Sequence, residues 1–355
     1  MRVYNFGAGP ATLPLEVLEQ AQQEGLEWQQ QGMSVMEVSH RSAAFMALLA
    51  ETTQLCRQLL ALPAQYQVLW MGAPARFHFG AVALNFLKTQ ADYVVSGSWS
   101  RLAHQDALKV GQAQVAASNE AQQYLALPQS YQFNDKADYC YFTPNETLSG
   151  LKLSQLTNRP TSVPLIADMT SCILSEEINI ADYAMIIAGA QKNLAPSGLS
   201  LVIIADELLA QANANLPSFF NYQVHADNQS NYATPPTYNI YMANLMLKWL
   251  QKQGGVKGIE EVNRLKAERL YQCIDNSSLY HCPIAKDSRS MMNVAFRLKD
   301  ENLNARFLEQ AAQQGLMALK GHRSVGGMRA SIYNAMPLEG VMTLINFMQN
   351  FEHNV

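Results

Sequence analysis

One lysine stands out by its setting. In AMIIAGAQKNLAPSGLSLVII, Lys192 lies between two apolar, strand-like runs, in a turn built from Gly, Pro, Ser and Asn. A lysine held there loses hydration, which lowers its pKa and exposes a free amine able to form a Schiff base with a carbonyl. The same turn would equally suit a solvated surface lysine. In VPLIADMTS, Asp168 ends a buried-type strand, where α/β enzymes place their ligands. A carboxylate at that point can keep a pyridinium nitrogen protonated, so that the ring withdraws electrons. An aspartate serving only as a helix cap or turn residue is the plainer alternative.

Three further segments carry groups of complementary chemistry. VLWMGAPARFHFGAVALNFL reads as strand, turn and helix. Pro74 fits the first helical position, and Ala75 and Arg76 follow with backbone N–H groups free to bind a phosphate. In VVSGSWS, Trp99 follows a strand and a glycine and could stack on a flat ring, although tryptophan is more often a core residue. Arg41 with His40, in SHRS, and His322, Arg323 and Arg329, in GHRSVGGMRASIYN, read as basic groups in Gly- or Ser-rich turns. The planar fork of arginine suits carboxylate and phosphate. An imine-forming lysine, a carboxylate for a ring nitrogen, a phosphate-binding turn and a stacking aromatic are together the parts that pyridoxal 5′-phosphate requires.

These groups need a scaffold, and the sequence supplies one by alternation. Helices are expected at Leu15–Gln31, Ser42–Leu62 and Phe79–Thr89, and short strands at Tyr66–Trp70, Asp92–Ser96, Asp138–Phe142, Val163–Ala167, Ala184–Ala188 and Leu199–Ala205. Strands alternating with helices imply an α/β domain with a mostly parallel sheet. Helices at Tyr238–Gln253 and Ile259–Ile274, a strand at Asn293–Arg297, a helix at Asn304–Gln314, a strand at Ala330–Tyr333 and a helix at Leu338–Phe351 follow, as a smaller α+β module. With Gly254-Gly255 as the break, the expected division is a large domain over 14–254 and a small one from 1–13 and 255–355.

Composition narrows the classes. The 355 residues are 48% hydrophobic, enough for a sizeable core, and the net charge of -4 gives no reason to expect nucleic acid or an anionic membrane as partner. Five cysteines without a CxxC pair argue against a disulfide framework or a zinc knuckle, so no metal is expected. Neither a signal peptide nor an apolar run of the roughly 20 residues that span a bilayer is visible, so a cytoplasmic protein is expected. A GxGxxG after a strand is lacking, which excludes the dinucleotide-binding dehydrogenases.

The segments NFGAGPATLP, GMSVMEVSHRS, YFTPNETLSG, IADMTSCILS, AGAQKNLAPSGL, ATPPTYNIY and GHRSVGGMRASIYNAMPLEGV occur in order along the whole chain. In them the sequence resembles the phosphoserine aminotransferases, in the class V group of fold-type I pyridoxal-phosphate enzymes. The resemblance implies a large, mostly parallel, seven-stranded-type sheet domain with a smaller α+β domain. It implies that Lys192 carries the cofactor, Asp168 meets the pyridinium, Trp99 stacks on the ring and Thr147 hydrogen-bonds the ring oxygen. Ala75, Arg76 and Gln191 match cofactor-phosphate ligands. Ala233 and Thr234 match the pair that reaches the phosphate from a second subunit, so a homodimer is implied. His40, Arg41, His322, Arg323 and Arg329 match residues that hold the substrate's anionic groups.

The implied reaction moves an amino group between L-glutamate and 3-phosphohydroxypyruvate, giving O-phospho-L-serine and 2-oxoglutarate, with 4-phosphohydroxy-L-threonine as a related substrate. The alternative within class V is an alanine–glyoxylate or serine–pyruvate type of acceptor, which would not need His322-Arg323. A non-catalytic binding protein on the same fold would not need Lys192 and Asp168. The chain departs from the family where GGGRGQF reads APARFHF, where an Asn-Thr pair reads Ala233-Thr234, and at Ala8, a serine in some relatives. These changes imply a repacked phosphate cup and weaker cofactor retention.

Overall fold

The computed structural model describes residues 2–323 and 325–355. Seven strands form the central sheet: β1 (Tyr66–Met71), β2 (Gln90–Val95), β3 (Gln112–Ser118), β4 (Cys140–Phe142), β5 (Leu165–Asp168), β6 (Met185–Gly189) and β7 (Ser200–Ala205). Their order is β1-β7-β6-β5-β4-β2-β3. Only β7 runs antiparallel to its neighbours, so the other six strands end at one edge of the sheet. That carboxyl edge is where an open α/β sheet binds its ligand.

The inner strands read as unbroken apolar runs because both sheet faces are covered. In β6, Ile186 and Ala188 face one core while Met185 and Ile187 face the other. The first core is closed by α1 (Leu15–Gln23), α2 (Ala43–Leu59) and, much later in the chain, a long helix at Thr237–Lys252. The second is closed by α3 (Phe77–Phe86) and α4 (Ser98–Ala107). We label the Thr237–Lys252 helix α5. Ser42 caps α2, its hydroxyl accepting from the Phe45 N–H at 3.2 Å.

After α5 come α6 (Gly255–Asp275), β8 (Tyr280–His281), β9 (Asn293–Leu298), α7 (Asn304–Gln313), β10 (Met328–Ser331) and α8 (Leu338–His353). They enclose a third cluster built on Phe296, Phe307, Phe347 and Phe351, which also takes in Phe6 from the N-terminal arm. The arm returns to this region by pairing Tyr4–Asn5 with Leu316–Met317.

Four expectations need correction. The first helix stops at Gln23, not Gln31: Gly25 follows its cap, Leu26 is 90% exposed, and Gln29 and Gln30 have positive φ, which no helix continues through. Pro74 is not the first helical residue: a turn from Pro74 to Phe77 precedes α3, which starts at Phe77. Trp99 lies in the first turn of α4, a helix hidden in the sequence behind the loop-like SGSWS. Arg329 is on strand β10 and buried, not in a turn, because the positive-φ glycines Gly326 and Gly327 end the turn just before it.

Candidate active site

The carboxyl ends of β1, β2, β4, β5 and β6 open into a cavity of about 420 Å³. Lys192 lies in the turn after β6, and its side chain is 7% exposed. Burial pulls its pKa down to about 8, with the Asp168 charge opposing that shift. Its Nζ donates to the Thr147 hydroxyl at 2.6 Å.

Asp168 is the last residue of β5, and burial pushes its carboxyl up from the ordinary range. Two hydrogen bonds to Oδ1 partly offset that push, from the Thr170 N–H at 3.0 Å and its hydroxyl at 2.5 Å. Thr170 Oγ1 in turn accepts from the Gly189 N–H at 3.0 Å, which ties the ends of β5 and β6 together. Both described bonds go to Oδ1, which leaves Oδ2 free of them.

Trp99 is positioned by a carboxylate the sequence reading missed. Glu146 is buried, and its oxygens accept from the N–H groups of Trp99 (3.2 Å) and Ser100 (3.0 Å) and from the Ser100 hydroxyl (2.6 Å). An acidic group at the N-terminus of α4 is favourable for the helix dipole. Any side chain at Gly97 would run into that carboxylate, which is why a glycine precedes the tryptophan. Burial pushes Glu146 up as well, and these hydrogen bonds pull it back. Two signals could have found it: a carboxylate inside the polar PNET stretch, and a glycine just ahead of a helix.

The cavity is also lined by Ala75, Arg76, Gln191, His322 and Arg329. No described hydrogen bond uses the N–H of Ala75 or Arg76, at the approach to α3. Arg329 is 8% exposed, and its Nε and Nη1 have no hydrogen-bond partner. Trp99 Nε1 and Thr143 Oγ1 are buried and unpartnered as well. Buried polar groups are normally paired, so this set marks a place for a polar ligand.

Pyridoxal phosphate fits this donor set. Lys192 would provide the amine for its aldehyde, Asp168 Oδ2 an acceptor for its ring nitrogen and Trp99 a face for the ring, while the free N–H groups before α3 would suit its phosphate.

Five of the residues singled out in the sequence lie outside the cavity lining: His40, Arg41, Arg323, Ala233 and Thr234. Four of them are exposed and His40 is half-buried. Two of these segments are neighbours, since Asn231 Nδ2 donates to the His40 carbonyl at 3.0 Å. Among the described residues no group of His, Cys, Asp and Glu could hold a metal ion, and no helix is long and apolar enough to cross a membrane.

Known proteins share both sequence and shape with this chain. The family described as aminotransferase class-V matches residues 3–344. A phosphoserine aminotransferase of Nitrosomonas europaea is 48% identical, over 99% of each chain. The solved phosphoserine aminotransferase of Bacillus circulans subsp. alkalophilus superposes with a TM-score of 0.97 at 44% identity, covering 99% of each chain. The pyridoxal-phosphate-bound enzyme of Trichomonas vaginalis superposes with a TM-score of 0.91 at 35% identity, over 98% of this chain and 100% of that one.

Proposed function

The chain belongs to the class-V aminotransferases, which depend on pyridoxal phosphate, and from that premise we propose that it transfers the amino group between L-glutamate and 3-phosphohydroxypyruvate to give O-phospho-L-serine. The observation that carries this reading is the buried Arg329 guanidinium, with two unpartnered nitrogens, in the same cavity as the Lys192 amine. An amino-acid substrate offers an α-carboxylate for the first and a reacting α-carbon for the second. The bound cofactor supplies an electron sink for the carbanion left when that carbon loses its proton.

This chain's own residues do the rest. Arg329 binds the α-carboxylate through paired N–H donors, which orients the α-hydrogen. Lys192, with its pKa brought to about 8 by burial, is poised to take that proton and return it as general base and acid. Thr147, whose hydroxyl accepts from Nζ at 2.6 Å, holds the amine near the reacting atoms. Asp168 keeps the charge that favours a protonated ring nitrogen, and Thr170 fixes its orientation.

The reading extends to a homodimer. His40 and Arg41 adjoin the segment that leads to Ala233 and Thr234, and all four lie outside the chain's own cavity, which is what residues serving a partner's site would do. In such a dimer Thr234 would meet the partner's cofactor phosphate, and Arg41 from one chain with His322 and Arg323 from the other would meet the substrate's second anionic group. A cytoplasmic enzyme, a large domain over 14–254 with a small domain from the remainder, and action on 4-phosphohydroxy-L-threonine belong to the same proposal. The separate third core, built from residues beyond 255 and Phe6, supports the domain division. The experiment is a comparison of amino donors on the purified holoenzyme. Phosphoserine and glutamate should both react, and a preference for alanine over phosphoserine would move the chain to the alanine–glyoxylate type.

A further inference from the structure

The residue after Lys192 is held by a segment 141 residues away in sequence. Asn193 Oδ1 accepts from the Asn334 N–H at 3.1 Å, and its Nδ2 donates to the Ile173 carbonyl at 2.9 Å. Asn334 belongs to the segment 332–336, which leaves β10, the strand of Arg329, and leads into α8. Its own amide donates to the Leu174 carbonyl at 2.8 Å. In the same segment the Tyr333 hydroxyl donates to the carbonyl of Ala8, a cavity residue, at 2.8 Å. One short segment therefore touches the lysine turn, the cavity wall and the arginine strand.

Helix α6 fixes that segment from behind. Asn263 Nδ2 donates to Asn334 Oδ1 at 2.8 Å. Lys266, one turn later and fully buried, donates from Nζ to the carbonyls of Ile332 (3.1 Å), Tyr333 (2.9 Å) and Met336 (3.0 Å). Three acceptors match the three protons of an ammonium, whereas a neutral amine has only two to give. Among the described residues no carboxylate forms an ion pair with it. A buried cation is expensive to keep, and lysine is almost never fully buried unless paired. The reaction in the cavity makes no use of this one, which calls for another role.

We propose that Lys266 is a positioning residue for amino-acid binding: by pinning three carbonyls of 332–336 it fixes the Arg329 strand against the Lys192–Asn193 turn, so that guanidinium and amine meet one substrate at a set separation. The proposal rests on the reading of Arg329 as the α-carboxylate ligand. Burial pulls Lys266 down to about 7, and among the described residues its Nζ donates to these three carbonyls alone.

The test uses the holoenzyme and two variants. Lys266→Met keeps the side-chain length but removes all three donors, and Asn263→Ala is a milder change on the same helix face. Because a displaced Arg329 loses binding to ground state and transition state alike, Lys266→Met should raise KM for both phosphoserine and glutamate by about tenfold or more, with kcat within about threefold. Amide hydrogen exchange over 329–336 should quicken in the same variant. Asn263→Ala should shift KM and exchange the same way, by a smaller factor.

A folded Lys266→Met protein with wild-type KM for both substrates overturns the proposal, even if its melting temperature falls. Faster exchange without a change in KM overturns it too, because the segment would then be pinned without consequence for Arg329. If Lys266→Met does not fold, Asn263→Ala decides, and unchanged KM and exchange there sink the idea. Failure of the underlying reading looks different, since Arg329→Met would then keep the wild-type KM for both substrates.

Discussion

Replacing Arg329 with methionine should weaken catalysis and leave the cofactor-free fold at least as stable. Arg329 is 8% exposed, its guanidinium lacks partners at Nε and Nη1, and burial pulls its pKa below the ordinary value. An uncompensated buried cation destabilises a fold, so a methionine of similar reach should hold or raise the melting temperature. Losing one partner of a desolvated charge pair costs roughly 2–5 kcal/mol. At about 1.4 kcal/mol per tenfold, that is roughly 30-fold to several thousand-fold in kcat/KM.

Both phosphoserine and glutamate carry the α-carboxylate, so both half-reactions should lose by the same factor. Arg323→Ala is the contrast: if its charge meets the phosphate in the assembled enzyme, phosphoserine should lose at least about a hundredfold and glutamate less. The assay is stopped-flow absorbance of each half-reaction, with calorimetry of the cofactor-free variants. Exposed ion pairs contribute at most ~1 kcal/mol, or about fivefold, so a loss no larger than that with both substrates would put Arg329 outside substrate reach. A lower melting temperature with normal activity would refute the argument from its buried charge.

Asp168→Asn should keep the fold and slow the glutamate half-reaction by several orders of magnitude, since it removes the main electrostatic support of the ring; a loss below about tenfold would leave Asp168 a structural residue. Burial holds the Lys192 amine near 8 against an ordinary 10.5, so the amine is largely neutral above that pH. The rate at which cofactor-free protein captures pyridoxal phosphate should therefore climb as pH rises to about 8 and then level off, whereas a continuing climb towards 10 would mark a solvated lysine. If Thr234 reaches a partner's cofactor phosphate, cofactor binding and dimerisation are linked, and Ala233→Asn should tighten both; sedimentation showing a fully loaded monomer would end that proposal.

Much of the site was legible because its residues lie at the ends of strands whose apolar runs are unmistakable. Asp168 and Lys192 follow runs buried on both faces, and such runs mark central strands of a parallel sheet. Strand β3 escaped notice because it lies at the sheet edge and keeps polar, mostly exposed residues in QAQVAAS. Helix α4 was hidden because its first turn, SGSWS, has the composition of a loop and its cap comes from Glu146, 47 residues from Trp99 in sequence. The network of Asn193, Asn263, Lys266 and Asn334 spans up to 141 residues in a single hydrogen bond, and no local pattern reports such a contact. Nor does spacing alone tell an arginine that lines its own chain's cavity from an exposed one outside it, which is why Arg41 and Arg329 looked alike in sequence.

The most direct test loads the purified protein with pyridoxal phosphate, adds phosphoserine and follows the visible absorbance band, in the wild type and in Lys192→Ala. The wild type should bleach the band and release 3-phosphohydroxypyruvate, and borohydride reduction before substrate is added should fix the cofactor to the single peptide that contains Lys192. Lys192→Ala should show neither the bleaching nor the reduced adduct. An adduct on another lysine, or a Lys192→Ala protein that still converts phosphoserine at the wild-type rate, would contradict the assignment.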